Sequence, residues 1–185
     1  MKISETIRFD CLLHVVVFFN FCFVGYSQSA TNEVSIGHSL RIDSKILDES
    51  RLIQIYLPQT YENGLYQYPV LYLTDGEDSF ENAVSIVKTK SNYYQNMPEM
   101  IIVAIGSGAN RNKNFTFTDG SAENTLAFLK DELIPLVDNT YRTEDYRVFY
   151  GHSLAGTFVF YTLSTEPELF DAIVTVSPGM HHVLS

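Results

Sequence analysis

Two unbroken apolar runs, Pro69–Thr74 and Met100–Ile105, are the strongest pattern in the chain. Runs of this length without polar alternation fit strands buried on both faces. They stop at Asp75-Gly76 and at Gly106-Ser107-Gly108. Upstream, Glu33–Leu40 alternates weakly through Val34, Ile36 and Leu40. Arg51–Leu57 alternates better and ends at Pro58, and Asn63-Gly64 marks a turn. Further strands are predicted at Tyr146–Tyr150 and Asp171–Val176.

Helical spacing lies between these runs. Phe80, Ala83, Val84 and Val87 share one face, with Asp78 or Ser79 as the predicted cap. Leu126, Leu129, Leu133 and Val137 share another, with Ser121 as the predicted cap. Pro135 is expected to kink or end that second helix, since its ring removes a hydrogen bond and crowds the preceding turn. Leu154–Leu163 is a dense apolar helix candidate. From Pro69 onward strand and helix alternate, which predicts an α/β fold with a mostly parallel sheet and helices on both faces. Functional residues of such sheets gather beyond the carboxyl ends of the strands. Asp75-Gly76, Gly106-Ser107, Ser153 and Ser177 fall there. No repeat, low-complexity tract or linker divides the sequence, so a single domain is expected.

The segment Gly151-His152-Ser153-Leu154-Ala155-Gly156 joins the Tyr146 strand to the Leu154 helix. A serine in a sharp strand–turn–helix connection, flanked by small residues, is a nucleophile elbow. The strict pattern has Gly two residues after the serine, where Ala155 stands here. An ordinary turn with a capping serine uses the same residues, and the flanking strand and helix favour the elbow. Ser153 is therefore the candidate nucleophile, and the backbone N–H of Leu154 the candidate oxyanion donor. A histidine base and an acid should follow in the order Ser, Asp or Glu, His. The chain ends at Ser185, about thirty residues later. His152 is expected to turn away from the serine into the core. His181 and His182 are the histidines that follow Ser153; they are poor candidates for a metal site, because adjacent histidines point apart and no Asp, Glu or Cys follows them.

The remaining features place the chain. Lys2 and Arg8 precede an apolar run from Cys11 to Val24, and small residues follow at Gly25, Ser27 and Ser29. That order predicts a secretory signal peptide over 1–27, with 28–185 as the exported domain. A membrane anchor is the alternative, disfavoured because the run is short and broken by Asn20. Cys11 and Cys22 are the only cysteines. Removing the leader thus removes disulfide, thiolate-metal and cysteine-nucleophile chemistry. The net charge of −10 argues against nucleic acid or an anionic membrane as the main partner.

Several segments, taken in order, resemble the esterase branch of the α/β-hydrolase fold. They are Gln54–Pro58, Tyr68–Gly76, Ile101–Ile105, Asn110-Arg111, Phe128–Pro135, the Gly151 elbow and Val176-Ser177-Pro178. That branch includes enterobactin-type siderophore esterases, feruloyl and acetyl esterases, and S-formylglutathione hydrolases. The resemblance is greatest toward the siderophore side. It implies hydrolysis of small-molecule or carbohydrate-linked carboxylic esters through an acyl-enzyme, without metal or organic cofactor. It also implies a second oxyanion amide at Gly76 or Glu77, although Gly76 could be a turn glycine. Arg111 is the candidate contact for an anionic or catecholate substrate, or else a solvated loop arginine. Members of the branch continue through further strands that carry the acid and histidine, so the resemblance implies the N-terminal part of such a domain with little activity of its own. An exported binding module and an acyltransferase are the rival readings.

Overall fold

The structure, a computed structural model, describes residues 35–179. The leader at 1–27 and the His181-His182 pair lie outside the described residues.

Six strands form one sheet: β1 (His38–Ser44), β2 (Glu49–Tyr56), β3 (Tyr68–Leu73), β4 (Ile101–Ile105), β5 (Thr143–His152) and β6 (Ala172–Val176). Their order is β1-β2-β4-β3-β5-β6. β1 and β2 are antiparallel, as are β2 and β4, while β4, β3, β5 and β6 run parallel. The mostly parallel α/β sheet read from the sequence is the one observed. β3 and β4 are central, which is why they lack polar alternation. Ile101, Val103 and Ile105 enter the core on one face of the sheet, and Ile102 and Ala104 enter the core on the other. β1 starts later than the weak alternation predicts. As an edge strand it half-buries Leu40 and Ile42 and leaves Arg41 and Asp43 exposed, so its apolar signal is diluted.

Helix α1 (Gly76–Lys88) covers one face, burying Phe80, Val84 and Val87 against Leu73, Ile102 and Ala104. It begins at Gly76, ahead of the predicted caps. Asp75 caps it from a left-handed backbone conformation, and the Ser79 hydroxyl instead donates to the carbonyls of Thr74 and Asp75. A π-helical turn, Thr89–Tyr93, extends it.

The other face is covered by α3 (Ser121–Ala127), a π-helical stretch (Phe128–Leu133), α4 (Ile134–Thr140) and α5 (Leu154–Thr165), with short α2 (Arg111–Asn114) beside them. Pro135 does not end its helix, as one form of the expectation had it; the register changes just before it instead. The segments from Ser121 to Thr140 abut, and the wide π-helical turns lie immediately before the proline. Their longer hydrogen-bond register accommodates both the missing N–H and the ring. Leu126, Leu129, Leu133 and Val137 are all buried, as their spacing predicts.

α5 packs on β5 and β6, whereas α1 lies over β2, β3 and β4. On the α1 side, no helix among the described residues covers β5 and β6. Tyr146, Val174 and Val176 are accordingly exposed there, beside Ile86 of α1.

Candidate active site

Ser153 stands between β5 and α5 with φ 57° and ψ −123°, a conformation that costs an L-residue of order 1–3 kcal/mol. Its neighbours hold it there. The Ser153 N–H donates to the Val176 carbonyl at 2.9 Å, and its own carbonyl accepts the Thr157 N–H at 3.0 Å. A Cβ on Gly151 would sit 2.6 Å from the Ala155 carbonyl oxygen, and one on Gly156 would sit 3.1 Å from both the Gly151 and Val176 oxygens. The small residues therefore let strand and helix touch. Ala155 is fully buried in this contact, so the turn accepts a methyl group where the strict pattern has glycine. Among the described residues the Leu154 N–H has no hydrogen-bond partner, as is usual for the first amides of a helix.

The second half of the site is at the end of β3. Leu73 pairs with Tyr150, and the Thr74 N–H donates to the Tyr150 carbonyl at 3.2 Å. The Asp75-Gly76 turn thus lies beside the serine turn, one strand spacing (~4.8 Å) across the sheet. Asp75 adopts φ 53° and ψ 52°, and its carbonyl accepts the N–H groups of Asp78 and Ser79. The amides of Gly76 and Glu77 belong to the first turn of α1 and have no partner among the described residues. Gly76 is more than a turn glycine: a Cβ there would lie 3.1 Å from the Ala104 backbone. Two helix N-termini, those of α1 and α5, therefore open on the same edge of the sheet, where amide groups and helix dipoles favour negative charge.

Side chains lock the β3 turn. The Glu77 carboxylate accepts the Ser107 N–H at 3.0 Å and the Ser107 hydroxyl at 3.3 Å. Arg111 donates to Asp75 from Nε at 2.5 Å and from Nη2 at 2.8 Å, and Ser107 Oγ donates to the same carboxylate at 3.1 Å. Hydrogen bonding to Asp75 holds the Arg111 guanidinium above its ordinary pKa. Arg111 is thus held by Asp75 rather than standing free in its loop, and its side chain stays 36% exposed. Asn114 Nδ2 donates to the Ser107 carbonyl, and buried Arg51 donates to the Gly106 carbonyl at 3.0 Å. Sequence reasoning missed Asp75, Ser107 and Asn114 as a network. The one local sign was Asn110, whose side chain accepts from the Lys113 N–H and caps α2.

The expectation for His152 also needs correction. It is exposed and borders a groove of about 560 Å³ between α1 and the uncovered face of β5 and β6. Asp75, Asp78 and Arg111 line the polar end of that groove, and Leu71, Ile86 and Val174 its apolar length. Among the described residues no histidine is hydrogen-bonded to Ser153, since His38 pairs with Tyr141. No cluster of metal-binding side chains occurs among them either, and no helix among them is long and apolar enough to cross a membrane.

Residues 44–183 match the family described as "Putative esterase". The chain belongs to this esterase family. It is similar to ferri-bacillibactin esterase BesA of Bacillus subtilis, at 26% identity over 62% of this chain and 48% of that protein. It is also similar to the siderophore triacetylfusarinine C esterase of Aspergillus fumigatus, at 26% identity over 71% of this chain and 52% of that one. Among solved structures, an IroE-like serine hydrolase from Shewanella oneidensis superposes with a TM-score of 0.74 at 31% identity, over 78% of this chain and 51% of that chain. The chain thus spans about half the length of these relatives.

Proposed function

We propose that this chain carries the nucleophile and oxyanion parts of an exported serine esterase that hydrolyses siderophore-type carboxylic esters through an acyl-enzyme. The observation that supports this most is the strained Ser153 turn, set beside a second helix N-terminus with free amides. In this reading the Ser153 hydroxyl attacks the ester carbonyl and loses its proton to a base. The Leu154 N–H and the Gly76 or Glu77 N–H receive the oxyanion, the alcohol leaves with a proton, and water then releases the acid. The siderophore assignment leans on what the named relatives act on. Export leans on the leader pattern.

The test is to incubate the protein with p-nitrophenyl acetate and with a ferric catecholate triester, then map acylated residues by mass spectrometry. An acyl group on Ser153, absent in Ser153→Ala, is the expected result. Equal labelling of the two proteins, or labelling confined to other residues, sinks the reading.

A further inference from the structure

A second concavity, of about 470 Å³, lies at the opposite end of the sheet from Ser153. It is formed by the β2–β3 connection, the π-helical turn that ends α1, and the approach to β4. Gln59, Thr60, Asn63, Tyr66, Asn92 and Glu99 line it. None of these takes part in the ester chemistry.

Its composition selects a ligand class. The walls supply three side-chain amides, a hydroxyl and one carboxylate, which together donate and accept like the hydroxyl groups of a sugar. Aromatic surface stands open beside them. Tyr66, itself part of the lining, is 73% exposed. A tyrosine ring offers a flat apolar face at small conformational cost, and the CH-bearing face of a pyranose matches it. Other classes fit poorly. The single charge is negative and the chain carries a net −10, so an anion is repelled. A single carboxylate does not build a site for a bare cation, and no cluster of three metal-binding side chains occurs among the described residues.

The pocket is also braced from beneath. Thr60 Oγ1 lies 2.8 Å from the Tyr68 hydroxyl, and Arg142 donates to the Tyr66 carbonyl at 3.2 Å while stacking on Tyr61. The amides of Gln59 and Asn63, by contrast, have no internal partner among the described residues. π-Helical turns recur at functional sites, and here one brings Asn92 to the rim.

We propose that this pocket binds a neutral saccharide. Tyr66 is the stacking platform, and Gln59, Asn63, Asn92 and Glu99 are the hydroxyl partners. Such a site would hold the protein on a glycan while the Ser153 edge of the sheet stays open. It does not depend on the esterase reading.

The intact chain is titrated with maltohexaose, cellohexaose and xylohexaose by calorimetry and by NMR. Saturable binding of at least one is expected. Tyr66→Ala and Asn92→Ala should each weaken it roughly tenfold, whereas Tyr66→Phe, which keeps the ring, and Ser153→Ala leave it unchanged. No saturation by any of the three up to roughly 20 mM, a range far above useful affinity, overturns the proposal. So does wild-type affinity in Tyr66→Ala and Asn92→Ala, or a loss in Ser153→Ala equal to theirs.

Discussion

Arg111 and Asp75, 36 positions apart in sequence, meet through two nitrogens of one guanidinium edge and both carboxylate oxygens. Asp75 is also the left-handed residue that starts α1. The pair therefore fixes the turn that presents the Gly76 and Glu77 amides. Arg111 is 36% exposed, so solvent screening limits its worth. A double-mutant cycle of Arg111→Ala and Asp75→Ala, read by urea unfolding, should give a coupling of about 1 kcal/mol. Arg111→Lys should recover only part of it, because an ammonium lacks the planar fork. Strictly additive losses would show that the two side chains do not act together.

The serine turn makes an opposite prediction. Ser153→Gly should remove the reactive hydroxyl and yet raise stability by about 1 kcal/mol, since glycine adopts φ 57° without steric cost. Ser153→Ala keeps the Cβ and should gain nothing. Comparing both unfolding midpoints with the wild type at unchanged denaturant slope checks this. Destabilisation by the glycine would mean the turn is not strained.

The two glycines flanking Ser153 should not be equivalent. An alanine at 151 meets the Ala155 carbonyl oxygen at 2.6 Å and carbon at 2.8 Å, both backbone atoms that cannot rotate away. An alanine at 156 meets carbonyl oxygens at 3.1 Å and regains helix propensity. Gly151→Ala is expected to cost more than about 2 kcal/mol, and Gly156→Ala about 1 kcal/mol or less. Ala155→Gly restores the strict motif but should cost roughly 0.5–1 kcal/mol and leave Ser153 acylation unchanged. Thermal unfolding of the three variants ranks them.

What could be read from the sequence depended on how local the cause was. β3 and β4 announce themselves because burial on both faces leaves no polar residue in the run. The elbow is legible because its requirement for small residues is confined to six positions. Four features escaped because their causes are distant or conformational. Asp75 caps α1 through a backbone conformation rather than through its side chain, so the helix began earlier than Asp78 or Ser79 suggested. The change of helical register before Pro135 was not legible because the π-helical turns leave no compositional mark. The partner of Arg111 comes from another loop, and His152 looked like a core residue because nothing local tells which part of the sheet goes uncovered.

The face of β5 and β6 that no helix among the described residues covers has its own test. The groove beside Ile86, Val148 and Val174 is apolar along most of its length, and exposed apolar surface of this kind binds fluorescent dyes and promotes association. The folded chain should enhance 8-anilinonaphthalene-1-sulfonate fluorescence. Val174→Lys with Ile86→Lys should lower the signal several-fold at unchanged unfolding midpoint. Undiminished fluorescence in the double variant would place the dye elsewhere.

The bond from the Ser153 amide to the Val176 carbonyl joins the reactive turn to β6, the last strand in the order among the described residues. Edge elements open most often in a native protein, and the amides they shield exchange with solvent at each opening. The lifetime of β6 therefore sets the lifetime of the serine geometry. The Ser153 amide and those of β6 should lose hydrogen-exchange protection together, as one unit, while the centre of β4 stays closed.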